Sequence, residues 1–579
     1  MREILICEHC GERYPAGSLC ACRREEILAG LREAKPRYLW PDGELPEKEE
    51  AGVHPVVAGI LRKRGIRENL REFLEAPVNR MLEEKLMNQQ EAADRIRRAV
   101  ETGEKVTIYG DYDADGVTST ALGINILSAL GGRVDGYIND RFGEGFGIGV
   151  GGVREIHGRG TGLIVTADNG IAGHEAIREA LRLGMDVVVT DHHEPNGELP
   201  PVIVVDPKQP GCGYSNKDLV GAGVLFKVLR QVCRDLGREK LPLKELDLVA
   251  LGTVADVAPL LGENRVLVKN GLKLMNWEKM RPGIRALRDV AGLDKVKSYH
   301  LGFVFGPMIN AEGRMFGSPE TALELLTTQD AGRATACART LWEHNRKRQE
   351  LLETQYALAE TLLEPDKEIY FLADPRFHEG IVGLIAGRLR ENYQRPAIVL
   401  GRGEAGTFKG SGRSVPGLNM KELLDKMSAL LAGYGGHAQA CGLTVRQDNL
   451  VMLKNFVETE VRNRMKGKEM CREVAVEARL PWESLTMGLA EALEEMEPFG
   501  TGFSRPRFLV EDFLADRVAY SRDGRHTRLE KDRISCWRFG AHLESPGPYR
   551  LVGVPDINEF QGRRMVQFRI DDCLEEELC

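Results

Sequence analysis

Between Val106 and Asp206 the chain alternates short, almost wholly apolar runs with longer runs whose apolar residues fall at helical spacing. The short runs are VTIYG, DGYIND, GLIVTA, DVVVT and VIVVD. Each has strand length and is bounded by Gly, Asp or Pro, the pattern of fully buried strands. VTSTALGINILSAL and HEAIREALRLG lie between them and predict helices. Strands alternating with helices predict an α/β fold on a parallel, doubly wound sheet. Upstream, NRMLEEKLMNQQEAADRIRRAVETG predicts helix, with Gly103 as its stop. Downstream, GAGVLFKVLRQV and ELDLVALGTVADVAPL predict two apolar helices, and residues 330–364 a long charged one. A second lobe starts at EIYFLAD. From about Val474 the pattern changes to short β-like segments, RPRFLVEDFLA, HTRLEKDRISCWRFG, PYRLVGVPDINEF and RRMVQFRIDDC, which predict a small barrel.

The acids fall where the strands end. Asp111, Asp113 and Asp115 follow VTIYG at alternate positions. Asp168, Asn169 and Gly170 follow GLIVTA, and Asp191, His192 and His193 follow DVVVT. In a doubly wound sheet the carboxyl ends of the strands line one crevice, where ligands bind. A solvated acidic turn would explain any one of these clusters, but not their recurrence at three strand ends. Carboxylates crowded this way raise one another's pKa unless a cation neutralises them. Asp256 lies near the end of an apolar helix, where a carboxylate is costly to bury unless paired or metal-bound; the alternative is a cap ahead of Pro259. Oxygen ligands with one or two imidazoles favour hard divalent cations, and imidazole tilts the choice toward Mn2+ over Mg2+. Two such ions bridged by a carboxylate suit in-line displacement at phosphorus, so the residues predict a metal-assisted phosphoester hydrolase and leave its substrate open.

Composition refines this only slightly. With 579 residues, 42% of them hydrophobic, several domains are expected. A net charge of -8 does not advertise a nucleic-acid binder, although it can hide a basic groove. The absence of a long apolar run predicts no membrane span. The start, MREILICEHCGERY, lacks a signal-peptide core, which predicts a cytoplasmic protein with reduced thiols. Cys7, Cys10, Cys20 and Cys22, spaced C-x2-C-x9-C-x-C, suit a structural Zn2+ site, with His9 able to replace one thiol. The alternative is a tail of inert thiols. FKGSGRSVPG, with Ser411 and Arg413, and GYGGHAQACG, with His437, read as Gly-rich loops that can bring backbone N–H groups and a guanidinium onto a phosphate. Arg, Lys and aromatic residues interleave in the C-terminal segments, which suits single-stranded nucleic acid and equally any exposed sheet.

DYDADG, DNG, DHH and VADVAPL, in this order, resemble the successive motifs of the DHH phosphoesterase superfamily. NAEGR, GSGRSV and GYGGHAQACG resemble those that follow in its RecJ branch, and with the EPFGTG turn the likeness spans about residues 50–579. The resemblance implies a two-lobed core: a parallel-sheet DHH domain and a DHH-associated domain joined by a long helix, with a C-terminal OB-fold barrel. The corresponding divisions are 1–33 for the Cys-rich appendage, 34–55 for a linker, 56–318 for the DHH domain, 319–365 for connecting helices, 366–472 for the DHH-associated domain and 473–579 for the OB-fold. It further implies an exonuclease specific for single-stranded DNA, degrading 5′ to 3′ to mononucleotides with two Mn2+ or Mg2+ ions. Such enzymes serve DNA recombination and repair; a monomer is expected, working with single-strand-binding protein and a repair helicase.

The resemblance also assigns roles. Asp111, Asp113, Asp115, His192 and Asp256 would be metal ligands, and Asp168 would bridge the ions. His193 would face the scissile phosphate, supported by Asp191. Arg141 and Arg314 match basic positions near the 5′ end, Ser411 and Arg413 the pocket for the terminal phosphate, and His437 a substrate contact near the metals. His378 stands in FHEG, where the family has a WHxG-type motif. Three stretches depart from the pattern: EPFGTGFSRPRF, the Cys-rich N-terminus and the barrel's middle, VAYSRDGRHTRLEKDR. One alternative within the superfamily is a phosphodiesterase of short oligonucleotides or cyclic dinucleotides, disfavoured by the barrel. Another is a non-catalytic DNA-binding scaffold, opposed by the survival of Asp or His at every ligand position.

Overall fold

A computed structural model describes residues 4–6, 13–15, 37–40, 52–195, 197–365, 367–404, 406–466, 473–560 and 562–575. Cys7, Cys10, Cys20 and Cys22 lie outside the described residues. The chain divides into two compact units, one formed by 1–39 and 346–474 and the other by 40–345 and 475–579. Among the described residues no helix is long and apolar enough to cross a membrane, and Cys212, Cys233, Cys337, Cys441 and Cys536 are free thiols.

The larger unit holds the expected α/β sheet. After helix α1 (Gln89–Thr102), capped by Gly103 in left-handed backbone, the elements alternate. They are β1 (Lys105–Gly110), α2 (Ala114–Ala129), β2 (Arg133–Ile138), α3 (Val150–Gly158), β3 (Leu163–Ala167), α4 (His174–Arg182), β4 (Asp186–Thr190) and β5 (Ile203–Val205). The five strands run parallel in the order β2-β1-β3-β4-β5. Side chains alternate between faces, as the pleat demands. Ile108, Val165 and Val188 enter the main core, and Tyr109, Ile164 and Val189 a smaller core under α3 and α4. The main core is completed by α5 (Gly221–Asp235), α6 (Leu246–Ala255) and α7 (Gly262–Met275). Because both faces are covered, the inner strands β1, β3 and β4 are almost wholly buried, which explains why they read as continuous runs; the edge strand β2 is only partly buried.

The sequence overestimates helix ahead of α1. Residues 78–80 form a single 3-10 turn and 82–86 are irregular, because Asn88 takes left-handed backbone at φ 63 and blocks extension of α1 backwards.

Beyond α8 (Gly306–Phe316) runs the long helix α9 (Ala331–Thr361). The smaller unit contains β6 (Tyr370–Ala373), α10 (Val382–Tyr393), β7 (Ala397–Arg402), β8 (Thr407–Arg413), β9 (Leu431–Gly436), β10 (Ala440–Arg446) and α11 (Leu450–Met465). Its sheet order is β9-β10-β8-β7-β6, with only β6 and β7 parallel. Here the sequence reading needs correction: the Gly-rich runs around Ser411 and before His437 are strands, not loops. A Cβ at Gly410 would lie 2.1 Å from the Val399 carbonyl oxygen, and one at Gly412 2.6 Å from Cys441 Sγ. These two glycines let strands and packed side chains approach; they do not loosen the backbone.

The C-terminal region returns to the larger unit. Its strands are β11 (Ala478–Arg479), β12 (Phe508–Phe513), β13 (Arg517–Tyr520), β14 (Thr527–Lys531), β15 (Ile534–Arg538), β16 (Tyr549–Phe560) and β17 (Arg563–Glu575). They form one mixed sheet ordered β11-β12-β16-β17-β15-β14-β13. Its inner residues Phe508, Phe513, Leu551 and Phe568 share a core with α12 (Met487–Glu495) and with Val57, Ile60 and Leu61 of the helix Pro55–Lys63.

Candidate metal centre

At the end of β1 the chain turns at once into α2. Asp113 is the N-cap, its Oδ1 accepting the N–H groups of Asp115 at 2.9 Å and Gly116 at 3.1 Å. A Cβ at position 116 would lie 2.3 Å from the Asp111 carbonyl oxygen, so the turn needs glycine. Asp111 and Asp115 are thereby buried on either side of the cap. Asp111 Oδ1 accepts the Gly147 N–H at 3.2 Å. Asp115 accepts two N–H groups from the first turn of α5, Gly221 at 2.7 Å and Ala222 at 3.0 Å. Its charge therefore meets the positive end of that helix.

The other strand ends complete the cluster. Asp168, just past β3, is buried and takes left-handed backbone at φ 65. His192 Nε2 lies 3.0 Å from Asp168 Oδ1, 3.8 Å from Asp256 Oδ2 and 3.9 Å from Asp115 Oδ2. Asp256 reaches the cluster as the C-cap of α6. Two sets of ligand atoms each lie within 4.8 Å: Asp115, His192 and Asp256, and Asp168, His192 and His193. Asp111 and Asp113 fall outside both sets and border them.

Burial, then like charge, governs the acids. Asp115 is held well above the usual carboxylate range by loss of hydration, then by Asp256 and Asp113. Asp168 is raised in the same way by burial, then by Asp115, Asp113, Asp256 and Asp111. Asp111 is pushed up to about 7 by burial and then Asp113. Asp256 is also raised to about 7, first by lost hydration and then by Asp113, although 35% of its side chain meets solvent and screens it. Asp191 behaves oppositely. Burial raises it, but its Oδ1 pairs with His193 Nδ1 at 2.8 Å and its Oδ2 accepts the Ile171 N–H at 2.9 Å, and the balance is downward. For His193, burial is outweighed by Asp191, which lifts the imidazole to about 9.

These residues fit divalent cations. Asp168 Oδ1 is buried without a hydrogen-bond partner, although His192 Nε2 is only 3.0 Å away. An oxygen and an imidazole nitrogen this close without hydrogen-bond alignment are a natural ligand pair. The donor set is carboxylate oxygen with imidazole and no thiolate, which suits Mn2+ or Mg2+.

Several residues that shape the centre escape sequence reading. A Cβ at Gly221 would stand 2.5 Å from Asp168 Cβ and 2.9 Å from Asp115 Oδ2; one at Gly252, within α6, 2.5 Å from Asp115 Oδ1. Glycine inside a helix is the available signal, since it costs about 1 kcal/mol against alanine and calls for a packing reason. Phe146 sets its ring edge-on to His193, with centroids 5.3 Å apart. Tyr112 lies under the Arg141 guanidinium, 4.9 Å from its ring, and feels the charge of Arg314 from α8 as well. The charges of the two predicted arginines thus both reach the residue between Asp111 and Asp113.

Ser411, Arg413, His378 and His437 belong to the smaller unit. Arg413 Nη1 donates to Ser411 Oγ at 2.6 Å and to the Gly412 carbonyl at 2.9 Å. A Cβ at Gly383, in the first turn of α10, would lie 3.1 Å from Arg413 Nη2. A guanidinium, a hydroxyl and a helix N-terminus therefore converge, an arrangement suited to an anion. His378 Nδ1 accepts the Gly380 N–H at 3.1 Å just ahead of the same helix. His437 is exposed, at the turn between β9 and β10.

The fold and the centre define a phosphoesterase of the DHH class: the DHH family N-terminal domain matches residues 105–253, and the DHHA1 domain residues 366–463. The RecJ OB domain matches residues 476–572. The chain is 35% identical over 544 residues to the single-stranded-DNA-specific exonuclease RecJ of Bacillus subtilis (strain 168), covering 90% of this chain and 68% of that protein. It is 34% identical over 571 residues to that of Escherichia coli (strain K12), covering 90% and 96%. The crystal structure of RecJ in complex with Mn2+ from Thermus thermophilus matches with a TM-score of 0.79 at 30% identity, over 97% of this chain and 79% of that one. The chain belongs to the RecJ family.

Proposed function

We propose that the protein is a single-stranded-DNA-specific exonuclease that removes 5′ mononucleotides by hydrolysing the terminal phosphodiester, in DNA recombination and repair. The observation that carries this reading is the convergence of Asp115, Asp168, His192 and Asp256, with one buried carboxylate oxygen that no hydrogen bond satisfies. These four, with Asp111 and Asp113 beside them, would hold two divalent cations, Mn2+ or Mg2+. Such ions, when bound, acidify a water and neutralise charge developing on the phosphate. The chain's own groups do the rest. Asp191 fixes the His193 ring through Nδ1, which leaves Nε2 for a phosphate oxygen. Arg141 on Tyr112, Arg314, and Arg413 with Ser411 would supply cationic and hydroxyl donors for backbone and terminal phosphates. Bidentate guanidinium contacts to a 5′-terminal phosphate would set polarity. The C-terminal sheet would grip the strand by stacking. A cytoplasmic location, a monomeric state, and partnership with single-strand-binding protein and a helicase belong to the same proposal.

The test is a nuclease assay with Mn2+ on 5′-labelled and 3′-labelled single strands, matched duplex and a dinucleotide. Immediate release of the 5′ label as mononucleotide, with duplex spared, is expected; preference for the dinucleotide would overturn the DNA reading. Asp113→Ala and His192→Ala should each abolish cleavage and leave DNA binding largely intact. Activity retained in both would sink the assignment of the centre.

A further inference from the structure

The turn EPFGTG, at the start of a stretch that departs further on from the family pattern, holds the loop that carries Asp256. That loop, residues 256–261, is the short link between α6 and α7. Val257, next to Asp256, has left-handed backbone at φ 61, which a β-branched side chain resists, so the surroundings must impose it. Three residues on, the buried Leu260 donates its N–H to the Thr501 carbonyl at 2.8 Å. Gly500 and Gly502 lie on the same segment: a Cβ at Gly500 would stand 2.7 Å from Leu260 Cδ1, and one at Gly502 3.2 Å from Pro259 Cβ.

The turn is itself pinned on both sides of that contact. Arg265, in the first turn of α7 and fully buried, donates to the carbonyls of Met496 at 2.8 Å, Pro498 at 3.2 Å and Phe73 at 3.0 Å. Its guanidinium packs on the rings of Phe73 and Phe503 at 4.2 and 4.8 Å. Ser298 Oγ reaches the Phe499 carbonyl at 2.7 Å and Glu497 Oε2 at 2.9 Å. The segment that Ser298 opens backs the last turn of α6, since a Cβ at Gly306 would lie 3.2 Å from Ala255 Cβ. The turn therefore touches the loop after Asp256 and the segment behind it.

We infer that residues 496–503 of the C-terminal region are positioning residues for Asp256, and that the docked turn sets how tightly the centre binds its cation. The inference rests on Asp256 being a ligand. Support beyond the ligand shell governs metal affinity by about 10- to 100-fold in metal sites generally.

The test is Mn2+ binding by the full-length protein, read from the free-ion electron paramagnetic resonance signal, with thermal melts in chelator to confirm folding. Gly500→Val, which forces Leu260 off the turn, should weaken Mn2+ affinity about 10-fold. Ser298→Ala, a gentler change, should weaken it in the same direction and carries the test if Gly500→Val fails to fold. Asp256→Ala is the control. If it weakens binding while a folded Gly500→Val, or Ser298→Ala in its place, binds as wild type, the inference is overturned. Wild-type affinity in Asp256→Ala would instead remove Asp256 from the ligand set and leave nothing for the turn to position.

Discussion

A buried carboxyl that titrates near neutrality makes folding depend on pH, and Asp111 supplies the clearest case. Its ordinary value is about 3.9, and burial followed by the charge of Asp113 pushes it to about 7 in the folded chain. Below about pH 4 both states are protonated and no stability is lost; between about pH 4 and 7 the unfolded chain has ionised while the folded one keeps its proton, so stability declines across that window and levels off above 7. In chelator, the Tm of the wild type should therefore fall relative to that of Asp111→Asn between about pH 4 and 7 and level off above, and Mn2+ should narrow the gap. A Tm difference constant across that range would show that Asp111 does not titrate there. The residues behind this behaviour were legible because a strand end is legible: an apolar run that stops at an acid announces where the acid points. Tyr112 was not, since its meaning comes from Arg141 and from Arg314, the latter far away in sequence. Nor were the oxygen of Asp168 that lacks a hydrogen bond and the close packing of Gly221 on Asp168 Cβ, which no motif announces.

Among the elements, the contact of α6 with α2 is the tightest at the centre, and Gly252 permits it. A Gly252→Ala change would gain about 1 kcal/mol of helix propensity in isolation. Against this, the new Cβ would stand 2.5 Å from Asp115 Oδ1 and 2.7 Å from Thr118 Oγ1, both buried. Overpacking of this kind costs about 1–3 kcal/mol, so the clash offsets the propensity and the variant should be net less stable by up to about 2 kcal/mol in urea unfolding. It should also bind Mn2+ more weakly, because the carboxylate that yields is a proposed ligand. A variant more stable than wild type would show that propensity wins and the helices can separate. Glycine was read correctly where it stops α1 and wrongly in β8 and β9. In both strands the residue looks like turn punctuation in one dimension; in β8 its role is to admit a neighbour from another element, whereas in β9 Gly433 and Gly435 face open space. The strands of the α/β region and two of the helices between them were legible, because burial leaves apolar runs; α3 was not, since Gly151 and Gly152 in its first turn blur the helical spacing.

At the scale of the whole molecule, a net charge of -8 must coexist with a substrate that is a polyanion, so the grip on DNA has to be local. The C-terminal sheet offers the surface. Trp537 and Phe539 stack with centroids 5.9 Å apart, Arg528 lies 5.7 Å over the Trp537 ring, and Tyr520 stacks on His542 at 4.3 Å. Phe539 and Tyr520 are 53% and 44% exposed, more than a fold needs of aromatic residues. The sequence showed the interleaving of basic and aromatic residues but could not separate an exposed stack from a sheet interior, since alternation looks alike until the strands are paired. It also could not show that the same region is seated on α7 through Arg265, which makes it one unit with the metal centre. Base stacking contributes about 1–3 kcal/mol per aromatic residue, which is about 5- to 150-fold in binding. Phe539→Ala removes a half-exposed ring and should leave folding intact. It should raise KM for a long single strand by at least about fivefold with kcat little changed, while KM for an oligonucleotide of a few nucleotides stays as in the wild type. That split follows because a short substrate can fill the centre without reaching the sheet. Equal increases for both lengths would place Phe539 at the centre instead, and no increase for either would take the aromatic face out of DNA binding.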